Sequence, residues 1–257
     1  MDFQAINPGK SISLFVKNIL VFEERELKQK TVLPFFADGY PGMIFQETAN
    51  GLWVNPHKKQ MPAFFLYGQT IKPIELVMNG TYKLVVFQLF PFVLESFFKV
   101  SPGQVTDSCY DLAQIENGQR IIHLLQKART NDERLEIISS LLYSLFQNKQ
   151  QHIDEAIAFA IKKIIAQKGQ VTIKELYKEL HLTERTFERR FSNNVGVSAK
   201  QFARIIQFQQ SLEQLTIKDY TKLSDIVYEN GFADQSHFIK VFKAFTGKTP
   251  KAFTLNK

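Results

Sequence analysis

A chain of 257 residues is long enough for about two domains, each with its own core, and its single cysteine, Cys109, excludes an internal disulfide and a multi-cysteine zinc site. The formal net charge of +7 is uneven: residues 152–257 hold 17 Lys and Arg against 11 Asp and Glu, whereas residues 1–151 hold 15 against 14. That distribution is expected if the C-terminal segment meets phosphates and the remainder meets something else.

No apolar run approaches the ~20 residues that span a bilayer. The most apolar stretch, Leu84–Leu94, is cut by Gln88 and Pro91, and Lys17 interrupts Ser13–Phe22. A cytoplasmic protein with no membrane partner and no targeting signal is expected.

Residues 1–105 read as strand-rich. Short apolar segments (Ser13–Val16, Gly42–Phe45, Phe64–Tyr67, Ile74–Val77, Leu84–Leu89) alternate with turn residues at Asp38-Gly39, Pro41-Gly42, Asn50-Gly51 and Asn79-Gly80. Asn-Gly and Asp-Gly between apolar runs favour hairpins, and a small antiparallel β-barrel or sandwich is the expected closure. This region has one histidine, His57, and no His-x-His, so a metal-dependent barrel enzyme is not expected, nor any cofactor. Cys109 lacks an activating neighbourhood and reads as a small buried hydrophobe. The pairs Phe35-Phe36, Phe64-Phe65 and Phe97-Phe98 read as core, with pocket lining as the second reading. No nucleophile motif is present, and the chain is not expected to be an enzyme.

Residues 106–150 change texture. Ile121, Ile122, Leu124, Leu125 and Ala128 fit one helix face, and Leu135, Ile138, Leu141, Leu142 and Leu145 fit a second after the cap Asn131-Asp132. An antiparallel helical hairpin is expected, its apolar stripe covering the barrel or a second subunit. Gln147–Gln151 reads as a linker.

From His152 onward the pattern is helical throughout. Thr172 and Glu175 have capping-box spacing; Thr183, Ser198 and Asp234 stand at helix starts, and Pro250 at a permitted first position. The segment carries one pattern twice. Phe187-Glu188-Arg189-Arg190-Phe191 recurs as Phe238-Ile239-Lys240-Val241-Phe242, at an offset of 51 that also takes Gly196 to Gly247 and Phe202 to Phe253. Upstream the offset is 50, taking Leu176 to Ile226 and Leu182 to Phe232, so the second turn has gained one residue. A duplicated two-helix unit with basic residues on its second helix points to a double helix-turn-helix on successive major grooves of double-stranded DNA.

In each recognition helix the Phe residues lie four apart and pack inward. The opposite faces give the candidate DNA-binding set: Thr183, Arg185, Thr186, Glu188 and Arg189 in the first unit, and Asp234, Gln235, Ser236, His237, Ile239 and Lys240 in the second. Arg grips guanine bidentately and Gln grips adenine; Ser, Thr and Lys serve bases or phosphates. Glu188 either accepts from cytosine or neutralises Arg185.

The stretch Gly231-Phe232-Ala233-Asp234-Gln235-Ser236-His237-Phe238, with Phe242-Lys243, Gly247, Thr249-Pro250 and Phe253, resembles the signature of the AraC/XylS family of bacterial transcription regulators. The resemblance covers residues 152–257 and implies seven helices, with a long central helix at about Ser198–Leu215. It implies transcription regulation, activation included, with RNA polymerase, a small-molecule effector and a second copy of the chain as candidate partners. Members often carry basic residues near Ile206–Gln210, where this chain leaves only Arg204. Pro34, Asp38-Gly39, Ile44-Phe45 and Gly68-Gln69-Thr70 resemble, more loosely, the cupin-like sensor domain of one uncharacterised subgroup. The expected fold is therefore α+β multidomain: a cupin-like β-domain (1–105), a helical hairpin and linker (106–150), and an all-α double helix-turn-helix domain (152–257). The alternatives are a non-specific architectural DNA-binding protein and a cupin enzyme fused to a DNA-binding module.

Overall fold

The computed structural model describes residues 2–27, 30–149 and 153–255. Among the described residues are ten strands, nine of them before the first helix: β1 (Asp2–Ile6), β2 (Val16–Glu24), β3 (Thr31–Phe35), β4 (Gly42–Thr48), β5 (Trp53–Asn55), β6 (Lys59–Gln60), β7 (Phe64–Tyr67), β8 (Ile74–Met78), β9 (Tyr82–Leu89) and β10 (Cys109–Asp111). They form a six-stranded sheet, β1-β2-β9-β4-β7-β10, and a four-stranded sheet, β3-β8-β5-β6. The two do not close into a barrel. Alternation along the large sheet gives the reason. Ile44, Phe65, Leu84 and Val86 face the small sheet, in one core with Val54, Leu76 and Met78. Met43, Phe45, Phe64, Leu66, Val85 and Phe87 face the opposite way, into a core shared with helices. A sheet covered on both faces needs continuous apolar strands, and it gains its second cover from helices instead of by curling on itself.

Asn50-Gly51 and Asn79-Gly80 are turns, but they are not hairpins. The first leads from β4 in the large sheet to β5 in the small one, and the second leads from β8 back to β9. Ser13–Phe15, expected as strand, forms a turn, with the Ile12 and Ser13 N–H groups donating to the Gly9 carbonyl and the strand starting at Val16. β10 pairs with β7, so the sheet takes a strand from beyond residue 105.

Short helices α1 (Val93–Phe98) and α2 (Pro102–Val105) and a 3-10 turn (Leu112–Gln114) lead to the hairpin α3 (Gly118–Lys127) and α4 (Asn131–Lys149). Ile138 and Leu142 of α4 are fully buried, and Phe146 packs against Phe15 and Phe97. Arg134 of α4, 4% exposed, donates from Nη2 to both carboxylate oxygens of Glu47 of β4, at 2.8 and 3.0 Å, which fixes the hairpin to the sheet. Helix α4 runs on through Gln147–Lys149 of the expected linker. Gln150, Gln151 and His152 lie outside the described residues.

Among the described residues seven helices follow: α5 (Glu155–Ala166), α6 (Ile173–Glu179), α7 (Glu184–Val195), α8 (Ala199–Ile217), α9 (Leu223–Glu229), α10 (Gln235–Thr246) and α11 (Pro250–Leu255). The repeat is visible as α6–α7 and α9–α10. Thr183 Oγ1 accepts from Thr186 N–H at 3.3 Å and Asp234 Oδ1 from His237 N–H at 2.7 Å. Gly196 and Gly247 end the two helices at φ +87° and +73°, a left-handed cap that favours glycine. The added residue is Ala233, between the buried Phe232 and the cap Asp234. Thr172 precedes α6, but its side chain makes no capping bond; the Glu175 N–H donates to the Thr172 carbonyl instead. Phe191 packs against Phe202 in a tilted contact, and Phe242 edge-on against Phe208, so α8 supplies a core ring to both units.

Helix α8 also carries the N-terminal domain. Ala37 is fully buried in the core of Ile205, Phe208 and Phe238, and the Gln209 amide donates to the Ala37 carbonyl. Gly39 sits at φ +83°, where a Cβ would lie 2.8 Å from Ile206 Cδ1 and 3.3 Å from Phe202 Cε2. Ile206 and Gln209 are thus committed to a domain interface, a task that basic side chains would obstruct. Between Ala37 and Gly39, Asp38 accepts from Tyr40 N–H at 2.9 Å and from the Gln88 amide at 2.6 Å. Burial pushes its carboxyl up to about 7, against those two hydrogen bonds.

Phe191→Ala and Phe242→Ala are each expected to cost about 3–5 kcal/mol, the range for deleting a buried Phe; urea denaturation of the full chain followed by far-ultraviolet circular dichroism measures it. Because the folded pKa of Asp38 lies above its ordinary 3.8, its contribution to stability is full below that value and is lost as pH rises through about 7. Asp38→Asn is expected to flatten this fall and to be the more stable form at pH above 7. Urea midpoints of both proteins across that range check it, and parallel curves would contradict it.

Candidate nucleic-acid interface

On α7, Phe187 and Phe191 are fully buried, which turns Arg185 and Arg189, one helical turn apart, to solvent. Neither makes an ion pair with the described residues. Their neighbour Arg190 behaves differently. Its guanidinium forks onto Asp154, with Nε–Oδ2 at 2.8 Å and Nη2–Oδ1 at 2.5 Å. Burial opposes the Asp154 charge, but this pair and the Ile157 N–H that Asp154 caps hold its carboxyl below the usual range. Arg190 therefore ties α7 to the start of α5, and two of the three arginines of this helix are left free.

Glu188 is half-buried, with Oε2 3.4 Å from the Ala199 N–H. It sits at the N-terminus of α8, where unpaired amides favour a carboxylate. Thr183 is exposed and occupied as the α7 cap; its hydroxyl donates to that of Thr186 at 3.0 Å.

On α10, Gln235, Ser236 and Lys240 are exposed, while Ile239 and His237 are half-buried. Asp234 is engaged as the cap, and the His237 ring packs against Phe232 at 5.8 Å. The structure thus brings together Arg185 with Arg189 on one helix and Gln235, Ser236 and Lys240 on the other. It places Thr183, Glu188 and Asp234 at helix starts. Lys243, outside the sequence-based set, is also exposed on α10, and its three-residue spacing from Lys240 was the available signal. The two units are joined by α8, whose 19 residues make a rod about 28 Å long.

A second feature lies between the sheets. A largely apolar cavity of about 80 Å³ is walled by Phe35, Ile44, Phe65 and Leu76, with Cys109 and Asp107 at one side. Of the Phe pairs, Phe35 and Phe65 line it, Phe64 and Phe97 are core, and Phe36 packs on Phe253. Cys109 is half-buried. Among the described residues no group of three or more His, Cys, Asp or Glu could hold a metal ion, and no helix is long and apolar enough to cross a membrane.

Two family models match the chain. One, described as a helix-turn-helix domain, covers residues 176–256, and the other, a domain of unknown function (DUF6597), covers residues 4–111 and so ends with β10. An uncharacterised HTH-type transcriptional regulator of Staphylococcus aureus (strain MSSA476) is 29% identical over 83 residues, 32% of this chain and 11% of that protein. The chain thus spans about a tenth of the length of the curated relatives it matches. Among solved structures, ToxT from Vibrio cholerae is similar over 99% of this chain and 98% of its own, at 15% identity and a TM-score of 0.47. The AraC-like transcriptional activator CuxR is similar over 82% and 87%, at 13% identity and a TM-score of 0.29. The segment that the helix-turn-helix family model matches holds α7, α8, α9 and α10, and with them both second helices of the repeat and the central helix they share.

Proposed function

We propose that the chain is a sequence-specific DNA-binding transcription regulator that reads two successive major grooves, one with α7 and one with α10. The carrying observation is the pair of exposed polar faces, Arg185 with Arg189 and Gln235 with Ser236 and Lys240, held by a single helix. Recognition helices seated on one face of B-DNA stand about 34 Å apart, and a rod such as α8 sets that spacing without a second subunit. The site is then asymmetric, not palindromic. The domain limits 1–105, 106–150 and 152–257 belong to this reading, as do RNA polymerase and a second copy of the chain as partners.

Control by a small, mostly apolar effector is the other half of the reading, and Asp107 supports it. Its side chain borders the cavity, and Oδ1 accepts from the backbone N–H groups of Ile71 at 2.7 Å and Lys72 at 3.2 Å. Its own N–H donates to the Gln69 carbonyl at 2.9 Å, and the Gln69 amide donates to the Gly39 carbonyl at 3.1 Å. Ile71 packs against the core that contains Phe208 and Phe238. One residue away, the Thr106 hydroxyl is 3.3 Å from the Gly196 carbonyl that ends α7. A ligand that displaces Asp107 therefore acts on segments touching both recognition helices.

Selection of binding sites from a random duplex library should yield two half-sites one helical turn apart. Arg189→Ala should cost about 1–3 kcal/mol and relax selection at one or two base pairs of one half, while substitutions at Gln235 and Lys240 should alter only the other. A single half-site indifferent to α10 would limit base reading to α7, and uniform recovery of all sequences would favour the architectural alternative. Asp107→Gly tolerates the observed φ of +50° and removes the acceptor. It is expected to speed hydrogen exchange at the Ile71 and Lys72 amides at least about tenfold, the loss of roughly one hydrogen bond to a charged group, whereas Asp107→Asn keeps an acceptor and stays near the parent rate. Equal exchange in all three proteins would remove Asp107 from the coupling.

A further inference from the structure

A recess of about 400 Å³ opens at the seam between the domains, lined by Lys72, Gln201, Arg204, His237 and Lys240 over a floor that includes Phe245. Three elements distant in sequence meet there: the loop after β7, the first half of α8, and α10. Lys72, Arg204 and Lys240 are exposed, none pairs with a described carboxylate, and the lining contains no acidic residue. We propose that this recess binds a phosphate group of the DNA backbone, and that the N-terminal domain supplies Lys72 to it.

Like charges repel unless an anion stands between them, and an ordinary solvated surface would let three flexible cations diverge. Here the backbone beneath Lys72 is held in place, because its N–H and that of Ile71 both donate to Asp107 Oδ1. Asp107 accepts from those amides and borders the cavity between the sheets; it does not line this recess.

The phosphate is assigned to DNA because of Lys240. It belongs both to this recess and to the exposed face of α10 with Gln235 and Ser236. A helix in the major groove is flanked by backbone phosphates on either side, so a recess on the flank of α10 lies where one of them passes. The assignment rests on the proposed DNA-binding reading and extends it: the N-terminal domain becomes part of the DNA-binding surface, placed by the loop that Asp107 holds.

The test measures the affinity of the full chain for a random-sequence duplex over a range of salt concentrations, since phosphate contacts are independent of sequence. Lys72→Ala is expected to reduce the steepness of the log-affinity against log-salt line by about 0.9, the effect of one lost phosphate contact. Lys72→Arg should keep the parent slope, Arg204→Ala should lower it by a similar amount, and Lys10→Ala, an exposed lysine elsewhere in the same domain, should leave it unchanged. An unchanged slope in Lys72→Ala overturns the proposal while the DNA-binding reading stands. Absence of salt-dependent binding by the parent chain sinks both. If inorganic phosphate at constant ionic strength raises the melting temperature of the parent but not of Lys72→Ala, and the slopes agree, the recess serves a free anion and the DNA assignment is overturned.

Discussion

The burial of one helix on all its apolar sides organises this molecule. Helix α8 gives Phe202 to the first helix-turn-helix unit, Phe208 to the second, and Ile206 with Gln209 to the N-terminal domain. Each contact is an ordinary apolar or hydrogen-bonded one, worth a few kcal/mol at most. Their consequence is geometric: the recognition helices cannot shift relative to each other without unpacking a ring from α8, and the N-terminal domain cannot shift without disturbing the same rod. Close-packed interiors respond to strain by switching between discrete arrangements more readily than by bending, and all three packing surfaces meet on this one helix.

The N-terminal domain meets α8 through a corner with unusual chemistry. Ala37 and Gly39 carry minimal side chains, so the backbone approaches the helix closely, and Asp38 between them is a carboxyl held at the seam by Tyr40 N–H and the Gln88 amide. Burial disfavours its charge more than these bonds favour it. Burial likewise raises the neighbouring Tyr40 and Tyr67 hydroxyls, and the Asp38 charge adds to it. The seam is therefore less stable with Asp38 ionised than with it protonated, which sets this contact apart from the apolar packing around it.

Charge on the recognition helices divides by partner. Arg190 is neutralised by Asp154 and fixes α7 to α5; with both groups partly exposed, the pair contributes orientation more than stability. Glu188 faces the start of α8. What remains on the open face of α7 is cationic and unpaired, as it is on α10 at Lys240 and Lys243.

The sequence alone determined the repeat, and with it the double helix-turn-helix. Phenylalanines four residues apart, cap residues Thr183 and Asp234, and the stops Gly196 and Gly247 are local signals, and helices are local structures. The inserted residue in the second turn was legible for the same reason. The strands β4, β7, β8 and β9 were also legible, because apolar runs bounded by turn residues mark strands whatever sheet they join; the short β5 and β6, with exposed Trp53, Lys59 and Gln60, carry no such run. Only the tertiary structure decided the partners. Asn50-Gly51 and Asn79-Gly80 specify a turn, not which sheet receives the next strand, so both could cross between sheets where hairpins were expected. The uncharged stretch Ile206–Gln210 reads as a missing phosphate contact until Ala37 and Gly39 are seen against it. Helix spacing sets Arg190 off the face of Arg189 but does not name Asp154 as its partner, and Lys72 lies more than a hundred residues from Arg204 in sequence. Such assignments depend on contacts between distant segments, and a side chain's partner is fixed only when the packed core brings those segments together.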